Sequence, residues 1–344
     1  MSEALPGALP TRAQPGDGSG MLPVGADATG AATAAPVGLG PDAPDDEAPE
    51  RIASTETPLA RFWSDFRRSR IALAGLVLLG LVVAIALFAP WIAPQNPYDL
   101  AALDLLDARL PPGAKSAAGS VYWLGTDGQG RDMLSAIFYG LRISLYVGVA
   151  SGIVAFTLGS LLGVLAAYLG GRFEQIVMRI VDIQLGFPAI LVALVLLAVL
   201  GKGVDKIIVA LATVQWAYYA RTARSAALVE RGKEYMEAAR GLGLSKPRIV
   251  LRHLMPNALA PLIVVATVQV AHAIALEATL SFLGLGLPAT EPSLGLLIAT
   301  GYEYLLSGKY WISVYPGVAL LLTILAINLV GDQLRDVLNP RLSR

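Results

Sequence analysis

The 344-residue chain contains no cysteine. That absence excludes a disulfide framework, a thiolate nucleophile and any cysteine-bound metal. There are two histidines, His253 and His272, far apart in sequence, so a histidine-built metal or catalytic centre is not expected. No GxxxxGK[ST] pattern occurs, so the chain brings no phosphate-cradling loop of that kind. Charge is scarce too. Asp, Glu, Lys and Arg make up 15% of the residues, against about a quarter in ordinary soluble domains.

Apolar sequence fills the space left by charge. Hydrophobic residues reach 55% and mean hydropathy is +0.60. They gather in several runs of about 17 residues or more, the mark of transmembrane helices. The fold class expected is an all-α membrane protein with six transmembrane helices.

Residues 1–57 are rich in Ala, Pro, Gly and Asp. Such a stretch cannot bury enough apolar surface to offset its ordering entropy, and a disordered cytoplasmic tail is expected. Its start, MSEALPGALP, lacks the basic and apolar regions of a signal peptide. Residues 58–94 form an N-terminal unit. Arg61, Arg67, Arg68 and Arg70 interleave with Phe62, Trp63 and Phe66, which suits an amphipathic helix at the lipid surface. Residues 71–89 then run uncharged for roughly 28 Å as a helix, about one bilayer core. Pro90, Trp91 and Pro94 mark the far end of this span.

Residues 95–140 read as an extracytoplasmic loop. It includes WLGTDGQGRDMLS at 123–135. Gly125, Gly128 and Gly130 permit tight backbone, and Asp127 and Asp132 can accept backbone N–H groups. A structured turn is favoured over a phosphate cradle.

Residues 141–335 hold a five-helix core. The span at 141–169 carries Gly148/Gly152 and Gly159/Gly163, two small-residue pairs that let helix backbones approach in lipid. In the span at 176–200, Arg179 and Asp182 share a face and are expected to pair locally, and Pro188 is expected to kink the helix. The span at 207–223 is more polar, with Gln215, Trp216, Tyr218 and Tyr219. The span at 257–283 carries Gln269, His272 and Glu277. In the outer segment 289–310, Ser293 can cap a short helix through Tyr304. The last span covers 311–331, and 336–344 is a cytoplasmic tail. Asp182, Gln215 and Glu277 are polar groups within spans, candidates for translocation or packing roles.

Charge asymmetry orients the chain. With a cytoplasmic N-terminus, the inner flanks hold Arg61, Arg67, Arg68, Arg70, Arg172, Arg179, eight basic residues within 221–252, Arg335, Arg341 and Arg344. The outer segments hold only Arg109, Lys115, Arg131, Arg142, Lys202, Lys206 and Lys309. Both termini and the polar segment 224–256 therefore face the cytoplasm.

That segment is a helix-forming interruption between two spans. Residues 221–240 have helical composition. Gly241 and Gly243 end the helix. Ser245 can cap a second helix with Pro247 in its first turn, and Pro256 meets the next span. Ala238 and Ala239 leave a thin surface, to which Glu237 adds one charge. A docking lever and an ordinary amphipathic loop both fit these features.

Glu237-Ala238-Ala239, then Gly243, then Pro256 resembles the EAA loop of importer-type ABC transporter permeases. His253 and Met255 depart from the usual Ile and Leu. Arg252-His253 fits the dipeptide/oligopeptide/nickel subfamily. Residues 123–135, 141–145, 179–188, 277–286 and 331–340 resemble further segments of that subfamily. Gly186 replaces a usual Ala, and Leu294 a usual Trp. The resemblance covers roughly 58–341 and indicates the C-type subunit.

It implies a type I permease fold in the bacterial cytoplasmic membrane. Residues 224–256 would hold a coupling helix, with Glu237, Ala238, Ala239, Gly241, Gly243 and Pro256 as coupling residues. The implied partners are a homologous B-type permease in a heterodimer, two cytoplasmic ABC ATPases, an extracytoplasmic binding protein and membrane lipid, without nucleic acid. ATP and Mg would belong to the ATPases. This chain would bind no cofactor or metal and carry no catalytic residue. The implied cargo is short peptides, with nickel or another small solute as the alternative. An ion-coupled secondary transporter is the reading from a different class.

Overall fold

The computed structural model describes residues 58–99, 103–116 and 119–338. The expected tail at 1–57 and most of that at 336–344 lie outside them. Helix α1 (Pro58–Arg68) sets the Arg67 guanidinium 4.7 Å from the Trp63 ring centre. The Ser69 hydroxyl then accepts the Ala72 N–H and starts α2 (Arg70–Ile92). Pro90 sits inside α2 rather than ending it.

The loop between α2 and the next long helix is more ordered than its composition suggests. A two-stranded antiparallel hairpin, β1 (Ala114–Lys115) and β2 (Val121–Tyr122), stands over a 3-10 turn at Leu105–Asp107. The Asp107 carboxylate accepts the Ser116 and Tyr122 hydroxyls. Asp127 and Arg131 form a buried ion pair at 2.7 Å, with side chains 2% and 1% exposed. Arg131 also donates to the Ala289 carbonyl. The structured turn expected at 123–135 is present. At Gly125, φ is +80°, and a Cβ there would lie 2.6 Å from the Leu110 carbonyl oxygen.

Helix α3 (Met133–Leu169) begins eight residues before the expected span, because the Asp132 carboxylate caps it through the Ser135 N–H at 2.8 Å. It is the central post. Gly148 and Gly152 lie against Ile274 and Val270 of α10 (Leu259–Phe282). Gly159 and Gly163 lie against Trp216, Tyr219, Ala220 and Ala223 of α6 (Val204–Arg231). Each glycine pair thus serves a different neighbour. Toward the C-terminal end of α10, Glu277 is fully buried, and accepts the Ser281 hydroxyl at 2.7 Å and the Ser144 hydroxyl of α3 at 3.1 Å.

The expected span at 176–200 is not one kinked helix. Helix α4 (Gly171–Gly186) stops, and α5 (Ala189–Leu200) departs at 94°. Pro188 lacks an N–H and disfavours helical geometry at Phe187, which is extended. A kink therefore becomes a break. Gln184 bridges that corner to α6. Its amide donates to the Thr213 and Val214 carbonyls, and its oxygen accepts the Trp216 indole N–H.

Beyond α6 come α7 (Glu234–Gly241), α8 (Lys246–Arg248), a π-helical stretch at Ile249–Leu254, and α9 (Met255–Asn257), which leads into α10. Ser293 caps α11 (Leu294–Tyr302) through the Leu296 N–H. Helix α12 (Trp311–Leu338) extends past the expected end of the last span.

By length and composition, α2, α3, α10 and α12 are able to cross a membrane. The bent α4–α5 pair makes a fifth crossing if taken as one span. Helix α6 has 28 residues but is not in that set. Its Gln215, Trp216, Tyr218 and Tyr219 and its basic end reduce its hydropathy.

Candidate functional site

The segment between α6 and α10 begins differently from the sequence expectation of one helix over 221–240. Helix α6 runs through Arg231, and the chain restarts at Glu234. A polar knot fixes the joint. The Glu230 carboxylate accepts Lys233 Nζ at 2.6 Å and the Tyr235 hydroxyl at 2.9 Å. Arg231 donates to the Ala167 carbonyl near the end of α3 at 2.7 Å. Burial, and then the bond to Glu230, hold the Tyr235 phenol above its ordinary pKa.

Helix α7 has two opposed faces. Met236 and Ala239 are buried in a cluster with Val164 and Ala167 of α3, Ala223 and Ala227 of α6, and Ile249, Val250 and Leu254. Glu237, Ala238, Arg240 and Gly241 are exposed. The thin surface expected from Ala238 and Ala239 is thus Ala238 alone; Ala239 is turned inward because it follows Met236 by three residues. Glu237 makes no side-chain hydrogen bond or ion pair among the described residues and does not cap its own helix. Glu234 and Glu237 lie in the first turn, where the positive end of the helix dipole favours them.

The end of α7 is a Schellman closure. Gly243 N–H donates to the Arg240 carbonyl, and Leu244 N–H donates to the Ala239 carbonyl. Gly243 has φ +69°, as this motif requires, with nothing within 4 Å of where a Cβ would sit. Gly241 has no positive φ and equally open surroundings, so only one of the two expected glycines has a conformational reason. Leu242, between them, is 78% exposed. Sequence reasoning passed over this apolar tip, although its place between two glycines marked it.

The expected second helix is also altered. Ser245 stands at the N-cap of α8, but its side chain makes no capping bond. Pro247 does lie in the first turn. Pro256 does not end the helical path. It has no N–H, and its ring crowds the carbonyl of the preceding turn. The π-helical residues directly before it widen the helix there. Asn257 donates its side-chain amide to the His253 carbonyl at 2.6 Å.

The polar span residues separate into different environments. Asp182 pairs not with Arg179, as expected, but with Arg221 of α6. Arg179 is exposed. Gln215 is buried, and its amide has no hydrogen-bond partner among the described residues. Glu277 accepts two serine hydroxyls, from Ser144 and Ser281.

A family model described as a binding-protein-dependent transport system inner membrane component matches residues 159–344. A second, the N-terminal transmembrane domain of oligopeptide transport permease C, matches residues 57–112. The chain belongs to this permease family. It is a multi-pass inner membrane protein and a transport component rather than an enzyme. Among curated relatives, the di/tripeptide transport system permease protein DppC of Pseudomonas aeruginosa is 39% identical over 286 residues, 83% of this chain and 93% of that one. The dipeptide transport system permease protein DppC of Escherichia coli K12 is 42% identical over 289 residues, 84% of this chain and 95% of that one. The solved MetNI methionine ABC transporter, in inward facing conformations, shares the fold with TM-score 0.50 and 23% identity, over 60% of the permease and 98% of that chain.

Proposed function

We propose that the chain is one half of the membrane pore of an ATP-driven importer of short peptides. The similarity to dipeptide permeases, over 83–84% of the chain, supports the cargo. It favours peptides over nickel. The observation that carries the mechanism is the seating of α7. Its buried Met236 and Ala239 share one apolar cluster with α3, α6 and the entry to α10. Close-packed interiors transmit displacement rather than absorb it. A push on the exposed face of α7 therefore reaches three membrane helices together.

In this reading α2, α3, the α4–α5 pair, α6, α10 and α12 form six crossings, and both termini are cytoplasmic. Glu237, Ala238 and Leu242 enter a cleft of an ABC ATPase. Gly243 holds the turn behind them, and Pro256 sets the exit toward α10. ATP and Mg are bound by two such ATPases. Their closure drives this chain and a homologous B-type permease from inward to outward facing. An extracytoplasmic binding protein then delivers the peptide.

The test uses the assembled complex in proteoliposomes, with labelled dialanine and its binding protein. Leu242→Asp is expected to lower ATP-driven uptake at least tenfold. Uptake at the wild-type rate would remove the coupling assignment. Failure of the wild-type complex to take up any peptide would remove the cargo.

A further inference from the structure

Helix α4 is packed on one side only. Val177 and Val181 are buried, and Val181, with Met178 and Leu185 beside it, packs against Trp216, Ala217 and Ala220 of α6. The remaining surface carries two distinct stripes. Phe173, Ile176, Ile180 and Ile183 form an exposed apolar stripe. Arg172, Gln175, Arg179 and Asp182 form an exposed polar one. Both advance by alternate steps of three and four residues, so each holds one side of the helix.

The helix climbs from its cytoplasmic turn toward the middle of α6. Near its start Glu174 pairs with Arg224 at 2.5 Å. Farther on Asp182 pairs with Arg221, and Gln184 reaches the carbonyls of Thr213 and Val214. On α4, Asp182 lies eight residues beyond Glu174, about 12 Å at the helical rise. The polar stripe therefore enters the membrane thickness. The Asp182–Arg221 pair is half-exposed there, with side chains 59% and 50% accessible. Charges at such depth do not face hydrocarbon; they face protein or a water-filled cavity. The apolar stripe is suited to lipid or a neighbouring helix, which leaves the polar stripe for water.

Resting on the peptide-importer reading above, we propose that the polar stripe of α4 lines the inner half of the translocation path. Asp182 and Arg221, at its far end, receive the α-ammonium and α-carboxylate of a passing short peptide. A zwitterion carries one charge of each sign, and so does this pair. On arrival one ion pair opens and two charge-assisted bonds form, with no change in net charge. Arg221 can hold a carboxylate with two parallel N–H groups, and Asp182 can accept from an ammonium. Because the pair re-forms when the peptide leaves, binding is partly offset. A transit site needs such weak holding, since cargo must leave as readily as it enters. Contact is with termini rather than side chains, so the site is blind to peptide sequence.

The absence of cysteine makes the test direct, because any introduced thiol in this chain is unique. Single cysteines are placed in the complete complex with cysteine-free partners. A membrane-impermeant sulfonate thiol reagent is applied from the cytoplasmic side. Gln175→Cys and Arg179→Cys are expected to react at least tenfold faster than Ile176→Cys and Ile180→Cys. Equal rates on both stripes would overturn the path assignment. The double variant Asp182→Asn/Arg221→Gln keeps a hydrogen-bonding pair but removes both charges. It is expected to lower dialanine uptake at least tenfold while binding-protein-stimulated ATP hydrolysis stays within twofold. A purely structural pair predicts near-normal uptake, and that result would overturn the site. If the double variant does not assemble, protection of Arg179→Cys by dialanine decides instead, and no protection overturns the site. A wild-type complex that takes up no dialanine would refute the importer reading, a result distinct from either of these.

Discussion

Replacing Gly243 with alanine isolates the backbone requirement of the α7 turn. No atom of the described residues lies within 4 Å of the added methyl, and φ is +69°. The cost is therefore conformational alone, about 1–2 kcal/mol for a left-handed alanine. At Gly241 the φ is not positive and the space is again open. Alanine there is expected to gain up to about 1 kcal/mol of helix propensity. Two substitutions of the same chemistry, two residues apart, should thus act in opposite directions. Arg240 and Arg248 are exposed trypsin sites on either side of the turn. When opening and closing are fast, cleavage follows the open population. Gly243→Ala should raise cleavage by about 5- to 30-fold, at 1.36 kcal/mol per factor of ten, in full-length protein in lipid nanodiscs. Gly241→Ala should leave it unchanged or slower. Equal acceleration in both variants would refute the assignment of Gly243 as the obligatory left-handed residue.

Met236→Ala removes a fully buried side chain beneath α7 and should cost about 2–5 kcal/mol, read as a lower thermal midpoint of the purified protein. Gly159→Val places a side chain against the Trp216 carbonyl and Tyr219, whereas Gly317 has open space around it; Gly159→Val should abolish the folded species in size-exclusion profiles and Gly317→Val should not. Tyr235→Phe should cost about 1.5–3 kcal/mol, as for a hydrogen bond to a charged group, detected as faster trypsin cleavage at Lys233. Because burial and Glu230 raise the Tyr235 pKa, the folded state holds that proton more tightly than the unfolded one. This stabilisation is complete below pH 10 and is lost as pH rises beyond it, so the cleavage difference between wild type and Tyr235→Phe should shrink at high pH.

Much of the fold was legible because its signals are local. Apolar runs located the long helices, and glycine spacing placed α3 in the interior. Ser293 announced its capping role, and Gly243 its left-handed turn, whereas Asp132 was legible only as a turn residue and not as the cap of α3. The failures share a different cause. Pro188 was read as a kink, but the severity of a bend depends on what holds the two pieces. Here Gln184 ties the corner to α6. Arg179 was the nearest basic residue on the same face as Asp182, yet Arg221 of another helix took the pair. Ser245 occupies a capping position without making the bond. Leu242 went unremarked because exposure is a property of the assembled surface.

The sequence by itself determined that this chain belongs in a membrane, where its polar segment lies, and which family's motifs it carries. Those follow from composition, period and spacing, which are read along one dimension. Only the tertiary structure decided which face of α7 is turned inward, where α4 breaks from α5, and which charge meets Asp182. Each of these depends on contacts between residues distant in sequence. In a helical bundle the relative rotation and height of neighbouring helices select those contacts. That selection comes from packing at small-residue seams, as at Gly159 and Gly163 against α6.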